Sequence, residues 1–150
     1  MAHTFTSLLV HVIFSTKDRH PHLDASVRDR LFPYMGGILR ETGATALAIN
    51  GVADHVHGLV AVPAASSVSD LMRVVKTNSS KWVHEQWPRL RGFAWQTGYG
   101  AFSVSRSHAD DVERYIARQE EHHRTMTFQE EYVAFLKRHG IAYDERYVWE

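Results

Sequence analysis

The feature that most constrains the fold is the order in which strand-like and helix-like segments alternate along the chain. Residues 7–17 are apolar and β-branched, which predicts a buried strand. Asp24 then opens a segment with apolar residues at helical spacing. Residues 44–53 and 55–62 are again strand-like and leave room only for a tight turn, so we expect a hairpin, bulged at Asn50–Gly51.

The second half of the chain continues this alternation. Ser66 and Ser67 offer N-caps for a helix that stops before Pro88. Residues 93–105 are aromatic and punctuated by glycine, which predicts a fourth strand.

Two capping-box patterns predict helices after the fourth strand. The first helix begins at Ser107–Asp110 and runs to about Met126, and the second begins at Thr127–Glu130. The resulting order, βαββαβ, is that of a ferredoxin-like α+β antiparallel sheet to which C-terminal helices are added. The length fits one domain, with the sheet and two helices in residues 1–107 and the added helices in residues 108–150.

Composition narrows the classes of function. The chain has no cysteine, which excludes disulfides and thiolate metal sites. No stretch approaches the roughly 18 apolar residues of a membrane span, and we expect no secretory signal. Net charge is zero, yet residues 1–107 contain 11 Lys and Arg and 7 Asp and Glu, whereas residues 108–150 contain 6 and 10. This split leaves room for a local phosphate-binding face, although a random distribution of surface charge explains it equally well.

Two histidines, His55 and His57, open the second strand of the predicted hairpin. Side chains alternate along a strand, so positions i and i+2 face the same way and place two imidazoles side by side. That arrangement suits two adjacent ligands of one divalent ion. The pair also fits the wet end of a strand, where both rings would hydrogen-bond water, and the pair alone does not separate these interpretations.

The first added helix carries polar groups where its apolar stripe should continue. Val112 and Ile116 begin the stripe with Tyr115 beside them, and the next positions are Gln119 and His123. Tyr115 and Gln119 are four residues apart, so they lie one above the other on one helix face. A half-buried tyrosine with a glutamine at the helix edge is the purely structural alternative.

These features together resemble the single-tyrosine HUH transposases, small bacterial enzymes of the insertion-sequence two-hundred type. HUH denotes His–hydrophobic–His, which is matched by His55–Val56–His57. The wider match covers residues 52–60, 95–105 and 112–123. The spacing of Tyr115 and Gln119 indicates the transposase branch, since replication initiators and relaxases share the histidine pair. Gly58 departs from the bulky apolar residue expected at its position.

The resemblance implies phosphoryl transfer on single-stranded DNA. Tyr115 would be the nucleophile, forming a 5′-phosphotyrosine link and leaving a free 3′-OH. His55, His57 and Gln119 would hold Mg²⁺ or Mn²⁺, although spacing alone also allows Zn²⁺ or Ni²⁺. Family members are dimers in which the tyrosine helix of one subunit completes the partner's site. The resemblance therefore implies a homodimer assembled in trans, cytoplasmic in a bacterium or archaeon and associated with the nucleoid.

Family members recognise DNA hairpins near the ends of their elements, and six basic residues are candidate phosphate contacts. They are Lys17, Arg19, Arg73, Lys76, Lys81 and Arg106. Such contacts position DNA without reading its sequence, and each residue taken singly fits a solvated surface charge at least as well. Trp82, Trp87 and Trp95 are candidates for stacking on unpaired bases, with core packing the favoured alternative for Trp82.

Three other functions fit parts of this pattern. A domesticated relative would cut repetitive hairpins of its host genome without being mobile. An RNA-recognition module shares the sheet, but the strands lack a convincing aromatic motif, and the histidine pair and Gln119 stay unexplained. A metal-dependent phosphodiesterase that uses water would make Tyr115 structural, and a covalent protein–DNA adduct would exclude it.

Overall fold

The computed structural model describes residues 3–150, and its sheet confirms the ferredoxin-like α+β topology. Four antiparallel strands lie in the order β2-β3-β1-β4. The elements of this unit are β1 (Leu9–Ser15), α1 (Ala25–Glu41), β2 (Thr45–Val52), β3 (His55–Ala61), α2 (Val68–Gln86) and β4 (Gly100–Val104). The added helices are α3 (Ala109–Ala117), α4 (Gln119–His122) and α5 (Phe128–Arg138). Within residues 3–150, no helix is long and apolar enough to cross a membrane.

Local signals fix the ends of α1 and α2 as the sequence predicts. Asp24 accepts a hydrogen bond from the Val27 N–H at 3.0 Å, and Ser67 accepts one from the Asp70 N–H at 3.0 Å. Each helix therefore starts with a side chain that satisfies a free backbone donor. After α1 the chain turns at Gly43, whose φ of 90° lies in the region that favours glycine.

The hairpin of β2 and β3 is present, but the predicted bulge at Asn50–Gly51 is wrong. Gly51 pairs in regular register with Val56. A Cβ at position 51 would lie only 2.2 Å from the His55 carbonyl oxygen, so glycine allows the close pairing that keeps the register regular here. The register shifts instead at residues 46–48.

β4 is shorter than the predicted strand of residues 93–105, because its pairing with β1 is interrupted between a bridge at Trp95 and the ladder that begins at Gly100. Trp95 makes a single bridge to Thr16, outside the named strands. The Ser15 N–H donates to Gln96 Oε1 at 2.8 Å, so a side chain takes a backbone donor that a longer strand would use. Continuous pairing with β1 begins only in β4 itself.

The first added helix does not run to Met126 as predicted, since it breaks at Arg118 between α3 and α4. Asn50 Nδ2, from β2, donates to the carbonyl oxygens of Ile116 at 2.9 Å and Ala117 at 3.3 Å. In a continuous helix these carbonyl oxygens would accept hydrogen bonds from the backbone N–H groups of the next turn. A contact from the sheet therefore satisfies the end of α3.

The two predicted capping boxes have different outcomes. The box at Ser107–Asp110 is wrong, because α3 follows His108, which makes no side-chain cap bond and instead contacts Ser105 Oγ at 2.7 Å. The box at the start of α5 is confirmed, with reciprocal bonds between Thr127 and Glu130. This cap fixes the first turn of α5, the helix that supplies a central residue of the site.

The two faces of the sheet have different contents. Strand alternation directs Phe14 of β1 and Val56 of β3 to the face covered by α1 and α2, which we call the apolar face. The opposite face carries His55 and His57, and α3, α4 and α5 lie on that side. We call it the histidine face, and it holds the candidate site.

Candidate metal and tyrosine site

β3 places His55 and His57 side by side on the histidine face, both fully buried. Their ring centroids are 5.2 Å apart. Both Nε2 atoms point toward Glu131 of α5. The pair therefore does not lie at a wet strand end, and its rings face the layer between the sheet and the added helices.

The carboxylate of Glu131 lies at the centre of the site, and its two oxygens have different partners. Oε1 is 2.8 Å from His57 Nε2, 3.0 Å from His123 Nε2 and 3.3 Å from His55 Nε2. Oε2 accepts a hydrogen bond from the Tyr115 hydroxyl. One side chain therefore joins the tyrosine of α3 to the histidine pair of β3.

Each of the three imidazoles is also held through its other ring nitrogen, Nδ1. The partners are Asp54 Oδ1 for His55 at 2.7 Å, His11 Nε2 for His57 at 2.8 Å, and the Met126 carbonyl oxygen for His123 at 2.7 Å. A carboxylate and a carbonyl oxygen only accept, so Nδ1 of His55 and of His123 carries a proton. In the neutral form of these rings, the lone pair is then on the Nε2 atom that faces the centre.

Burial and neighbouring charges shift the pKa values of these groups in different directions. Burial lowers the pKa of His57 to about 4, and burial together with His57 lowers the pKa of His11 to about 3. Burial opposes ionisation of Glu131, but the imidazole hydrogen bonds outweigh it and hold its pKa well below the usual range. Burial likewise opposes the charged form of His55, yet Asp54 and Glu131 raise its pKa. Glu131 is therefore an anion.

The Tyr115 hydroxyl lies between two groups that can accept a proton. It donates to Glu131 Oε2 and is 3.0 Å from His122 Nε2. Burial, followed by the bond to Glu131, raises the pKa of Tyr115 above its ordinary value of about 10. The phenol is therefore protonated in this arrangement and must lose its proton to act as a nucleophile.

Gln119 is buried, as its place on the stripe predicts, but its amide bonds back to the backbone of α3. Its Nε2 donates to the Tyr115 carbonyl oxygen at 3.3 Å. Its Oε1 is buried without a hydrogen-bond partner among residues 3–150. The next stripe position, His123, reaches the pair, with its Nε2 3.0 Å from His55 Nε2.

Sequence reasoning did not single out His11, His122 or Glu131, although two of them carried a signal. Glu131 lies three residues after Phe128 and four before Phe135, which places a carboxylate on the apolar stripe of α5. His11 interrupts the apolar run of β1. An ionisable residue inside an apolar pattern indicates a site when partners are found for it.

Two of the six candidate DNA contacts lie on one face of α2. The Lys76 ammonium turns inward and donates to the carbonyl oxygens of Gln96 and Gly98, and burial lowers its pKa to about 8. Arg73 is exposed, with Asp70 3.8 Å away. Lys76 therefore connects α2 to the segment before β4, whereas Arg73 has its guanidinium in solvent.

The other four candidates are partly or fully exposed. Arg19 is half-buried, with its guanidinium carbon 5.5 Å from the centre of the Trp149 ring. The exposed members are Lys17, Lys81 and Arg106.

The candidate stacking residues differ in burial. Trp82 is stacked on Tyr34 with ring centroids 4.2 Å apart, and Trp87 meets the Trp82 ring edge-on at 5.3 Å. Trp95 is buried in the core.

The chain is similar in sequence to known transposases. The family described as "Transposase IS200 like" has a sequence model that matches residues 4–119. The chain is 25% identical over 114 residues to the ISDra2 transposase TnpA of Deinococcus radiodurans, covering 73% of this chain and 81% of that relative. It is 28% identical over 125 residues to the transposase for insertion sequence element IS200 of Salmonella typhimurium, covering 79% and 81%.

Solved structures also resemble the fold. A candidate transposase from Deinococcus radiodurans has a TM-score of 0.66 at 25% identity, covering 79% of this chain and 95% of that chain. A REP-associated tyrosine transposase, solved bound to a REP hairpin, has a TM-score of 0.54 at 14% identity, covering 77% and 66%. At that identity, the second likeness is one of fold alone.

Proposed function

The chain belongs to the family of IS200-like transposases, and we propose that it cleaves and rejoins single-stranded DNA at the hairpin-marked ends of a mobile element. The reaction passes through a covalent 5′-phosphotyrosine on Tyr115. One observation carries this proposal. The Glu131 carboxylate bonds to the half-buried Tyr115 phenol with one oxygen and to the paired imidazoles with the other.

The proposed chemistry follows from the groups around Tyr115. Its phenolic oxygen attacks a backbone phosphorus, the bond from phosphorus to the 3′ oxygen breaks, and that oxygen takes up a proton. The phenolic proton leaves toward His122, whose Nε2 is 3.0 Å from the hydroxyl. The low pKa of Glu131 suits that carboxylate to accepting the hydrogen bond rather than the proton. One phosphodiester is exchanged for another, so a 3′-OH can reverse the step and rejoin DNA without an external energy source.

His55 and His57 fit a divalent metal ion, and we propose that they hold Mg²⁺ or Mn²⁺. Their Nε2 atoms face one point, where an anionic oxygen of Glu131 now lies, and their Nδ1 atoms are engaged elsewhere. When bound, such an ion draws charge from the scissile phosphate. The resemblance assigns a third ligand position to Gln119, whose buried Oε1 is without a hydrogen bond among the described residues.

For DNA binding, we propose that exposed basic side chains contact the hairpin phosphates. Lys76 uses its ammonium on backbone carbonyls, so it is the weakest of the six candidates. The remaining five are Lys17, Arg19, Arg73, Lys81 and Arg106. The solved hairpin complex of a fold neighbour supports a hairpin as the class of ligand.

The resemblance also implies a homodimer in which each site is completed in trans. In this structure α3 brings Tyr115 to the histidines of its own chain, through Glu131. We therefore propose that the site assembles within one subunit, whether or not the chains pair. The trans arrangement stays a competing prediction, and mixing two inactive variants separates the two.

The function is tested by incubating the protein with single-stranded hairpin DNA from the flanks of its own gene, with Mg²⁺ or Mn²⁺, before a denaturing gel. The proposal expects cleaved DNA and a protein–DNA adduct that survives denaturation. Tyr115→Phe keeps the ring and should bind the hairpin without forming either product. An adduct in that variant would move the nucleophile elsewhere, with Tyr132 or Tyr99 next, and cleavage without any adduct would favour a phosphodiesterase that uses water.

A domesticated endonuclease acting on host palindromes is the alternative within the same chemistry. It would use the same tyrosine and metal site but would not move its own gene. A mobile copy should have subterminal palindromes at both ends of the gene, whereas a domesticated copy should find its hairpins elsewhere in the genome.

A further inference from the structure

We propose that a pocket on the histidine face, next to Tyr115, binds one unpaired base of the DNA strand together with a phosphate of that strand. The pocket has a volume of about 260 Å³ and lies between β1, β4, α3 and the end of α5. The inference rests on the proposed DNA-cleaving function and specifies how its substrate is held. Neither His55 nor His57 lines this pocket.

His11 of β1 is the one buried polar residue among those that line the pocket. The side chain is only 3% exposed, and its Nε2 lies 2.8 Å from His57 Nδ1. Its other ring nitrogen, Nδ1, makes no hydrogen bond with any of residues 3–150. A largely buried polar group is costly to leave unpaired, so this nitrogen favours a ligand that brings a donor or an acceptor.

The lining on either side of His11 is apolar. Phe102 of β4 and Phe135 of α5 are both buried, and their rings are stacked with centroids 5.3 Å apart. The Phe135 ring meets the His11 ring edge-on at 5.1 Å. Val104 and Val112 add aliphatic surface. Apolar walls with a single polar group suit a nucleobase, because its faces are apolar and its edge carries donors and acceptors.

Basic side chains surround the opening of the pocket. Arg138 and His139 follow Phe135 along the chain, and both are exposed. The Arg138 guanidinium carbon is 5.4 Å from the centre of the Phe135 ring, and Arg138 forms no salt bridge with the described part of the chain. His108, which precedes α3, is also exposed and lines the pocket. A free guanidinium beside an apolar pocket suits a phosphate, which it can bind through two parallel hydrogen bonds.

The volume limits the ligand to a single base. Pockets for drug-sized ligands range from about 300 to 1,000 Å³, so a pocket of 260 Å³ is too small for a base pair or for several stacked bases. The duplex stem of a hairpin therefore does not enter it. We assign the pocket to unpaired DNA, separately from the exposed basic residues that we propose for the hairpin phosphates.

The pocket is close enough to Tyr115 to hold a nucleotide near the scissile phosphate. The His11 ring centre is 6.1 Å from that of Tyr115, and the Phe135 ring centre is 5.8 Å from it. Val112 lies three residues before Tyr115, on the same side of α3. A base in the pocket therefore keeps the backbone of its own nucleotide beside the tyrosine and restricts how the strand can lie.

The test measures binding of single-stranded DNA to the full chain in EDTA, so that no metal-dependent cleavage occurs. Fluorescence anisotropy compares hexathymidylate with an abasic hexamer that has the same sugar–phosphate backbone. The wild type should bind hexathymidylate at least about fivefold more tightly, because stacking contributes about 1–3 kcal/mol per base. Thymidine monophosphate that competed as well as the hexamer would assign the pocket to a free nucleotide and overturn the proposal.

Variants locate the base and the phosphate. Val104→Phe fills the pocket from β4, so the two hexamers should then bind within about twofold of each other. Arg138→Gln should weaken the binding of both hexamers about fivefold or more, since a charged hydrogen bond to phosphate is lost. Lys137→Gln, the matched control, removes an exposed charge outside the pocket and should change binding less than about twofold. Thermal unfolding checks each fold, and Val112→Phe fills the same pocket from α3 if Val104→Phe does not fold.

A preference for hexathymidylate that is absent from the wild type, or unchanged in a folded pocket-filling variant, would overturn the base pocket. Equal effects of Arg138→Gln and Lys137→Gln would overturn the phosphate contact. These outcomes do not depend on the reaction, because cleavage is blocked in EDTA. A protein that prefers bases through this pocket yet forms no adduct with its hairpins would keep the pocket and refute the proposed function, whereas hairpin cleavage without that preference would refute the pocket alone.

Discussion

The two faces of the sheet share the same strands but bury different kinds of side chain. On the apolar face, Phe14 and Val56 pack with Leu31 of α1 in a hydrophobic core. On the histidine face, β3 buries His57 with Glu131 in contact. Burying ionisable groups costs free energy unless they are paired, and an apolar replacement is often equally stable. The histidine face also buries apolar side chains such as Leu59 and Ile116, so both faces stabilise the fold. Only the histidine face adds the polar groups to which we assign the chemistry.

His57→Ala should give the largest change of the variants considered, and the quantity that it lowers is the rate of hairpin cleavage. It tests the chemical role of the histidine face. Removing one proposed ligand should lower hairpin cleavage by about a thousandfold or more, since the metal-dependent step is lost. Excess Mg²⁺ should not restore cleavage, and a chelator should inhibit the wild type in the same way. Cleavage rates are measured with Mg²⁺, Mn²⁺ and EDTA, and undiminished cleavage in EDTA would refute a metal-dependent site.

Leu31→Ala tests the apolar face. This side chain is fully buried, so its truncation should cost about 2–5 kcal/mol of unfolding free energy. Cleavage per folded molecule should stay within about threefold of the wild type, because the site lies across the sheet. Chemical denaturation gives the unfolding free energy. Cleavage rates divided by the number of active sites, counted by active-site titration, give the cleavage per folded molecule. A large loss of activity in folded protein would mean that the two faces are not independent.

Gln119→Leu should change the unfolding free energy less than Leu31→Ala does. The change should be neutral or stabilising, whereas Leu31→Ala is destabilising. The buried Oε1 is without a hydrogen bond among residues 3–150, so an apolar side chain should leave the unfolding free energy unchanged or raise it by about 1 kcal/mol. Denaturation curves of the variant and the wild type provide the comparison. A loss of more than this amount would show that the amide makes a stabilising bond that this structure lacks.

Arg106→Ala should give the smallest change of these variants. It should lower DNA binding and leave the fold unchanged. An exposed phosphate contact is expected to lower hairpin affinity severalfold and to reduce the salt dependence of binding by about one unit of slope. Lys76→Met is the paired control, because its ammonium bonds to backbone carbonyls and its loss should reduce stability instead. Equal effects of both changes on the salt slope would contradict this assignment.

Local pattern predicted much of the fold and one part of the site. Helix caps at Asp24, Ser67 and Thr127 are readable because each is a contact between residues three apart. The shared face of His55 and His57 is equally local, since it depends only on strand alternation.

The remaining features depend on contacts between distant parts of the chain. Asn50 on β2 satisfies carbonyl oxygens at the end of α3, and the Gln96 side chain accepts from the Ser15 N–H ahead of β4. The bond between His57 and Glu131 joins residues 74 positions apart. No periodicity within a single segment encodes such a contact, so the centre of the site became visible only in the folded chain.

We propose that the histidine face of one chain holds Tyr115 together with the histidine pair. The most direct test mixes the His57→Ala and Tyr115→Phe variants and verifies that their subunits exchange. The measurement is whether hairpin cleavage recovers. We expect no recovery, because every subunit would hold a defective site. Recovery to roughly a quarter of wild-type activity, the share expected if half the molecules are mixed dimers with one intact crossed site, would contradict it.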